Sequence, residues 1–250
     1  MATPFNIPAT IIVGAGASKK VGEQARRLGV KSALLVTDSY MVSSGLAGRI
    51  ADYLRRAGVY VTIYSNVQPD PTDLNVMEGL EILRENRCGM VVGLGGGSPM
   101  DCAKAISVMS ANPQSINLYA GLHKVPNKGV PIITIPTTAG TGAEVTKVVV
   151  IGDTTRNVKM MILDLNLMAD VALVDYELTM SCPPQLTANV GVDTLVHAVE
   201  AYVSVKASPM TDPYALSSIR HVSENLLTAY NEPNNKVARE GMTLASLQAG

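Results

Sequence analysis

The chain alternates short apolar runs, rich in β-branched residues, with longer segments in which apolar residues recur at helical spacing. This alternation is typical of a parallel sheet wrapped by helices. Each strand is separated from the next by a segment too long for a hairpin, so we expect right-handed crossover connections. The predicted strands span residues 10–13, 32–37, 59–64, 90–94 and 131–135, and the predicted helices span residues 18–28, 45–57, 72–87 and 99–110.

The third predicted helix carries one apolar stripe opposite a charged face. Such a stripe is expected to pack onto the sheet, with the charged face in solvent. The members of the stripe are Leu74, Met77, Leu80, Ile82 and Leu83.

The pattern changes after residue 144. Two β-rich runs, 145–151 and 159–163, flank a polar segment and predict a hairpin. A short strand over 171–174 follows, and the remainder has helical spacing interrupted by prolines. We therefore divide the chain into an α/β domain over residues 1–180 and a helical domain over residues 181–250. So few helical residues make a thin independent core, and the helical domain is expected to be incomplete.

Composition narrows the possible partners. The chain is 47% hydrophobic and 16% charged, as in ordinary globular proteins, and its net charge of -1 offers no basic surface for nucleic acid or an anionic membrane. No run approaches the roughly 18 apolar residues that a membrane-spanning helix needs. Cys88, Cys102 and Cys182 are widely spaced, without a C-x-x-C pair. We expect a cytoplasmic protein with reduced thiols.

The strongest local motif, GGGSPMD, follows the predicted strand 90–94 and ends at Asp101. Gly95, Gly96 and Gly97 have no Cβ atoms, so a phosphate can approach their backbone. Ser98 can cap the next helix, and the following proline suits its first turn. A helix N-terminus placed there favours a pyrophosphate. The alternative is a tight turn without a ligand, because the G-x-G-x-x-G spacing is absent.

A second loop of small residues, PTTAGTG at 136–142, follows the strand 131–135. Ligands of open α/β sheets bind at the carboxyl edge of the strands, so two such loops favour a nucleotide site. Asp38 ends the strand 32–37 and can accept hydrogen bonds from an adenosine ribose while repelling a 2′-phosphate, which favours NAD over NADP. A strand-ending Asp is also a common turn or cap residue.

Asp193 and His197 stand four residues apart in the segment GVDTLVHAVEAY, residues 191–202. This spacing places both side chains on neighbouring positions of one helical face, where they can ligate one cation. A simple Asp–His pair, or a buried histidine, is the alternative. The predicted core positions of this helix are Val192, Leu195, Val196 and Val199.

Taken together and in this order, these residues resemble the iron-containing (group III) alcohol dehydrogenases. The resemblance rests on the glycine triplet with Asp101 and Lys104, on the 136–142 loop and on GVDTLVHAVEAY, and it covers essentially the whole chain. It implies a dehydroquinate synthase-like fold, with a dinucleotide-binding α/β domain followed by an all-helical domain. Family chains continue past the equivalent of Gly250 into helices that carry two more histidine ligands, so the 250-residue chain is expected to lack a complete metal site and to be inactive.

The resemblance also implies roles for individual residues. Asp193 and His197 match the first two ligands of the iron. Asp70 departs from the family, which usually has Asn there, and its charge would weaken a cofactor contact. The residues that would hold the dinucleotide are Gly96, Gly97 and Ser98 at the pyrophosphate, together with Gly95 and Asp101 of the same motif, Thr137, Thr138 and Thr141 at the adenine and ribose side, and Lys159 and Leu178 as further lining.

The resemblance implies an NAD-dependent oxidoreductase of small primary alcohols and aldehydes, with Fe(II), zinc or another divalent metal as a Lewis acid. We expect a homodimer or larger homo-oligomer, and neither nucleic acid nor membrane as a partner. Two alternatives stay open. One is a non-redox, NAD- and metal-dependent enzyme of the dehydroquinate synthase-like fold, against which GVDTLVHAVEAY argues. The other is a nucleotide-binding fragment without catalysis, which the missing metal ligands allow.

Overall fold

Residues 4–250 are described by a computed structural model, in which strands and helices alternate before helices alone complete the chain. The strands are β1 (Thr10–Val13), β2 (Ser32–Val36), β3 (Tyr60–Tyr64), β4 (Met90–Gly95), β5 (Gly121–Leu122), β6 (Ile132–Pro136), β7 (Val148–Asp153), β8 (Val158–Leu163) and β9 (Val171–Val174). The α-helices are α1 (Val21–Arg27), α2 (Ser39–Ser43), α3 (Leu46–Arg56), α4 (Asp73–Glu85), α5 (Gly97–Met109), α6 (Pro184–Val203), α7 (Asp212–Asn231) and α8 (Lys236–Ala249). Short 3-10 helices span Ala17–Lys20, Ile116–Tyr119, Leu165–Leu167 and Tyr176–Ser181.

The main sheet has six parallel strands in the order β1-β9-β6-β4-β2-β3. One apolar cluster joins the sheet to α4 and α5, and a second joins it to α1 and α3. Because helices cover both faces, β4 and β6 are buried along their whole length, and their sequences are nearly continuous apolar runs, interrupted in β6 by Thr134. The predicted α/β class is confirmed.

The hairpin predicted after residue 144 is present but starts later than expected. β7 and β8 pair in antiparallel fashion from Val148 opposite Leu163 to Asp153 opposite Val158, and β5 adds to the edge of β8. The prediction that pairing begins at residue 145 is wrong. The backbone around residues 143–146 turns its carbonyls to the buried ammonium of Lys104 instead of to a strand.

The apolar stripe predicted on α4 is partly wrong. Leu74 and Met77 are 64% and 46% exposed, whereas Val76 is buried. The reason is close packing at Gly79, where an added Cβ would overlap the side chain of Ile106 on α5. The face of α4 that packs onto the protein is therefore set by the contact at Gly79. The spacing of the large apolar residues does not determine it.

Three of the core positions predicted on α6 are also wrong. Val192, Val196 and Val199 are 52%, 45% and 43% exposed. The buried positions of this helix are small residues, among them Gly191 and Thr194.

Small residues are buried on α6 because two neighbours approach it closely. A Cβ on Gly191 would overlap Leu226 of α7, and Thr194 Oγ1 lies 3.2 Å from Ala139 O in the 136–142 loop. Helices α6, α7 and α8 also share an apolar cluster with Ala139, against which Leu195 is packed. The helical part is therefore in contact with the sheet's carboxyl edge through that loop.

The division into units at residue 180 stays a prediction. Between residues 4 and 250, no helix combines the length and apolar character of a membrane span. Cys88, Cys102 and Cys182 are buried and form no disulfide in the structure.

Candidate active site

Two cavities meet at the N-terminus of α5. The larger has a volume of about 840 Å³, and the smaller has a volume of about 640 Å³. Gly97, Ser98 and Thr141 line both of them, so the two loops predicted to bind nucleotide form their shared wall. Each volume lies in the range of small-molecule and cofactor sites.

Residues 95–97, here called the glycine loop, lead directly from β4 into α5. Gly95 has a φ of 143°, and an added Cβ there would lie 2.7 Å from Pro99 Cγ, so this position requires glycine. The prediction that Ser98 caps α5 is wrong, because the cap is Gly96 and no side chain caps the helix. Ser98 lies in the first turn, and its Oγ accepts a hydrogen bond from Asp70 N at 3.3 Å. The uncapped first turn suits an anion.

The PTTAGTG segment, residues 136–142 and here called the threonine loop, lies against the glycine loop. Thr137 N donates to Gly95 O at 2.9 Å. A Cβ on Gly96 would lie 3.4 Å from Thr138 Oγ1, and a Cβ on Gly97 would lie 3.0 Å from Thr141 Cγ2. The loops are therefore close together: a side chain on Gly97 would press on Thr141, whereas one on Gly96 would make an ordinary contact with Thr138. The binding of a pyrophosphate between them stays a prediction.

Asp38 caps α2. Its Oδ1 accepts a hydrogen bond from Met41 N at 2.9 Å, which confirms the capping alternative. The same residue lines the larger cavity, as the ribose prediction requires. The two roles are compatible because a carboxylate has two oxygens.

Lys159 and Leu178 do not line the larger cavity. Lys159 Nζ lies 2.7 Å from Asp70 Oδ1, and both side chains are largely exposed. Leu178 is buried in the apolar cluster under the sheet. Asp70 has a left-handed φ of 56°, which Asp and Asn tolerate better than most residues, and it lines the smaller cavity. The cofactor roles implied for Lys159 and Leu178 stay predictions.

A fully buried ammonium holds this region together, a feature that the sequence analysis missed. Lys104 Nζ lies 2.9 Å from Ala143 O, 3.2 Å from Thr146 O and 2.7 Å from Val148 O. Asp101 Oδ1 lies 3.5 Å from the same nitrogen, and Asp101 Oδ2 accepts from the backbone N–H of residue 150 at 2.9 Å. A lysine one helical turn after an acidic residue was the available signal.

These buried charges shift one another's pKa values. Burial lowers the pKa of Lys104, opposed by the charge of Asp101, and burial raises the pKa of Asp101, opposed by Lys104. Burial also raises the pKa of Glu144, two residues after the threonine loop, to about 7, and the charge of Lys104 opposes this shift. Glu144 was missed because its environment depends on Lys104, which is distant in sequence.

Asp193 and His197 line the smaller cavity together with Glu200. His197 Nε2 lies 3.7 Å from Asp193 Oδ1, and both side chains are partly exposed. The prediction that Asp193 and His197 lie on one face of α6 is confirmed. Their role as metal ligands stays a prediction. One carboxylate and one imidazole fit a divalent transition metal in type. They fall short in number, because such sites generally use three or four protein ligands, and the described part of the chain holds no group of three suitable side chains.

Residues 8–176 match the family described as iron-containing alcohol dehydrogenase. Residues 187–250 match the C-terminal region of the Fe-containing alcohol dehydrogenase family. The chain therefore belongs to the iron-containing alcohol dehydrogenase family.

Among its relatives is NAD-dependent methanol dehydrogenase of Bacillus methanolicus, which is 42% identical over 248 residues, or 99% of this chain and 65% of the relative. The crystal structure of a 1,3-propanediol oxidoreductase has a TM-score of 0.98 and 40% identity, over 100% of this chain and 65% of that one. Sulfoacetaldehyde reductase from Bifidobacterium kashiwanohense, solved in complex with NAD⁺, has a TM-score of 0.94 and 38% identity. The match covers 100% of this chain and 66% of that one. The chain thus spans just under two thirds of the length of these proteins.

Replacing Lys104 with Met tests whether the buried ammonium holds the loops. We expect Lys104→Met to lower the free energy of unfolding by about 3–5 kcal/mol, because Asp101 and several carbonyl groups lose their buried cation. Urea unfolding measures the change. Lys20→Met, which removes an exposed ammonium, is the control and should change stability by less than about 1 kcal/mol. Equal losses in the two variants would contradict the assignment.

Replacing Gly97 with Val tests whether the glycine serves a phosphate. The added branches would fill the space between the loops, so we expect the Kd for NAD to rise about tenfold or more, ~1.4 kcal/mol, with only a small fall in Tm. Calorimetric titration and thermal melting give the two values. Gly48→Val on α3 is the control, because a Cβ there meets no atom within 4 Å. Unchanged NAD binding, or a large fall in Tm, would show that Gly97 serves the turn alone.

Proposed function

We propose that this chain forms the dinucleotide site, and one side of the metal site, of an NAD-dependent alcohol dehydrogenase. The observation that carries the proposal is the meeting of a cofactor-sized cavity and the cavity with Asp193 and His197 at one helix N-terminus. The NAD⁺ complex of one relative and the name of another support NAD as the cofactor. Small primary alcohols and their aldehydes are the proposed substrates, since the names of the relatives include methanol dehydrogenase and 1,3-propanediol oxidoreductase.

In this proposal the pyrophosphate lies at the uncapped N-terminus of α5. The backbone N–H groups of the first turn donate to it, and the helix dipole adds an effective charge of roughly half a proton. Gly96, Gly97 and Ser98 form this side of the site, and the threonine loop forms the other. Because Gly97 and Thr141 line both cavities, a nucleotide in the larger one would adjoin a substrate in the smaller one.

Asp193 and His197 would supply two ligands to a divalent metal, which we propose to be iron, with zinc as the second possibility. Such an ion, when bound, supplies a Lewis acid for the substrate oxygen, while NAD accepts or donates the hydride. The residues around the smaller cavity would orient the substrate and limit its contact with water. We also propose that the protein is a homo-oligomer in the cytoplasm.

The non-redox alternative is not favoured, because the described relatives in this family are named as dehydrogenases, oxidoreductases or reductases. The non-catalytic nucleotide-binding module is the second candidate. It is kept by one observation, namely that the described residues supply only two metal ligands on one face. The two candidates differ in whether metal and alcohol together produce NADH.

The test is an anaerobic assay of the full gene product with Fe(II), NAD and 1,3-propanediol, followed by NADH absorbance. We expect turnover that depends on the metal and falls by at least about 100-fold in His197→Ala, with the Kd for NAD unchanged. His221→Ala is the matched control, because His221 of α7 lines neither cavity. Binding of NAD without any metal-dependent NADH would support the binding module instead.

Asp38→Asn tests the choice between NAD and NADP. Asn keeps the capping oxygen for Met41 N and removes only the charge, so stability should be nearly unchanged. We expect the preference for NAD over NADP in kcat/KM to narrow about tenfold, because the 2′-phosphate no longer meets a carboxylate. Asp52→Asn, at an exposed carboxylate of α3, should leave the preference as it is. An unaltered preference in Asp38→Asn would rule out the ribose role.

A further inference from the structure

Arg239 on α8 is a buried cation that is bound by neutral acceptors. Its side chain is 3% exposed, and within residues 4–250 no carboxylate lies at ion-pair distance from it. Nε donates to Pro233 O at 2.9 Å, Nη1 donates to Thr187 Oγ1 at 2.8 Å, and Nη2 donates to Cys182 O at 3.1 Å. The guanidinium therefore joins the start of α8 to residues 182–187, which lie more than 50 residues earlier in the sequence.

Two of these acceptors belong to a wall of the larger cavity. Cys182 lines the cavity, and Thr187 lies in the first turn of α6, between the lining residues Leu186 and Val190. Cys182 Sγ also donates to Thr137 O at 3.3 Å, in the threonine loop. Arg239 itself does not line the larger cavity, so it lies one layer behind this wall.

The chemistry of the site favours a geometric role. Burial lowers the pKa of Arg239, and the neighbouring Cys182 opposes this shift. Burial also raises the pKa of the Cys182 thiol, and the hydrogen-bond acceptors of the guanidinium are neutral oxygens. A well-packed apolar side chain would fill the same space without the cost of burying a charge. What an apolar residue cannot supply is a planar fork whose donors fix several oxygens at once.

We propose that Arg239 is a positioning residue of the dinucleotide cleft, which holds the Cys182 carbonyl and the Thr187 hydroxyl so that residues 182–190 keep the shape that receives the cofactor. The inference rests on the proposed binding of NAD in the larger cavity. It adds that helix α8, which lies outside the α/β layers, sets the affinity of that cavity.

The test compares Arg239→Met with Ser218→Ala in the purified chain. Ser218 is buried on α7, and its Oγ donates to Ala245 O of α8 at 2.8 Å, so the control also removes a buried hydrogen bond to α8. The readouts are the Kd for NAD, Tm, and hydrogen exchange of the backbone amides of residues 182–190. All are measured well below the Tm of each variant.

We expect Arg239→Met to raise the Kd for NAD about fivefold or more and to speed amide exchange in residues 182–190. Arg239→Lys, which retains the charge with fewer donors, should restore part of the affinity. Ser218→Ala should lower Tm with no change in Kd or in exchange of that segment. Parent-like affinity in Arg239→Met, or an equal effect of Ser218→Ala, would overturn the proposal.

If Arg239→Met does not fold, Thr187→Val tests whether the contact with Arg239 positions residues 182–190. It removes the hydroxyl acceptor, so we expect a two- to threefold rise in Kd and faster exchange over the same segment, and unchanged values would overturn the proposal. Failure of the parent chain to bind NAD would count against the proposed function. The exchange measurement would then still decide whether Arg239 orders the wall.

Discussion

The buried ammonium of Lys104 is the interaction on which the arrangement of the site depends. It lies on α5, the helix whose N-terminus meets both cavities, and it binds the carbonyls of Ala143, Thr146 and Val148. These carbonyls belong to the segment that leads from the threonine loop into β7. One charged group therefore fixes the second loop and the hairpin relative to the helix that carries the glycine loop. This cross-link works because a lysine has three donors and a buried carbonyl needs a partner.

The same interaction explains why acidic side chains are buried beside the loops. A lone ammonium in the protein interior would lose much of its stabilisation to desolvation, and Asp101 and Glu144 offset that cost electrostatically. Asp101 in turn accepts a hydrogen bond from the β7 backbone, so the compensating charge also holds the hairpin. The charges are interdependent, and removal of one changes the protonation of the others.

The sequence predicted the sheet and the two loops well, because both depend on local patterns. Apolar runs identify buried parallel strands, and the carboxyl edge of such strands is where ligand loops lie. The buried faces of α4 and α6 were predicted only in part: Leu80 and Leu83 are buried, but Leu74 and Met77 are exposed. Close approach at Gly79 and Gly191 sets these faces, and glycines leave no hydrophobic signal in the sequence. Lys104 and Arg239 were missed as organising residues, since most of their hydrogen-bond acceptors lie 39 or more residues away in sequence.

Helix α6 carries the predicted metal ligands Asp193 and His197 and also contacts the threonine loop. Thr194 Oγ1 lies 3.2 Å from Ala139 O and 3.3 Å from Gly140 O, and its chain neighbour is Asp193. A Cβ on Gly140 would lie 2.6 Å from Val190 Cβ, so glycine is required for the loop backbone to lie this close to α6. The threonine loop and the helix that carries Asp193 are thus in direct contact. If the dinucleotide and the metal bind as proposed, close packing between these two elements would help to fix the distance between them.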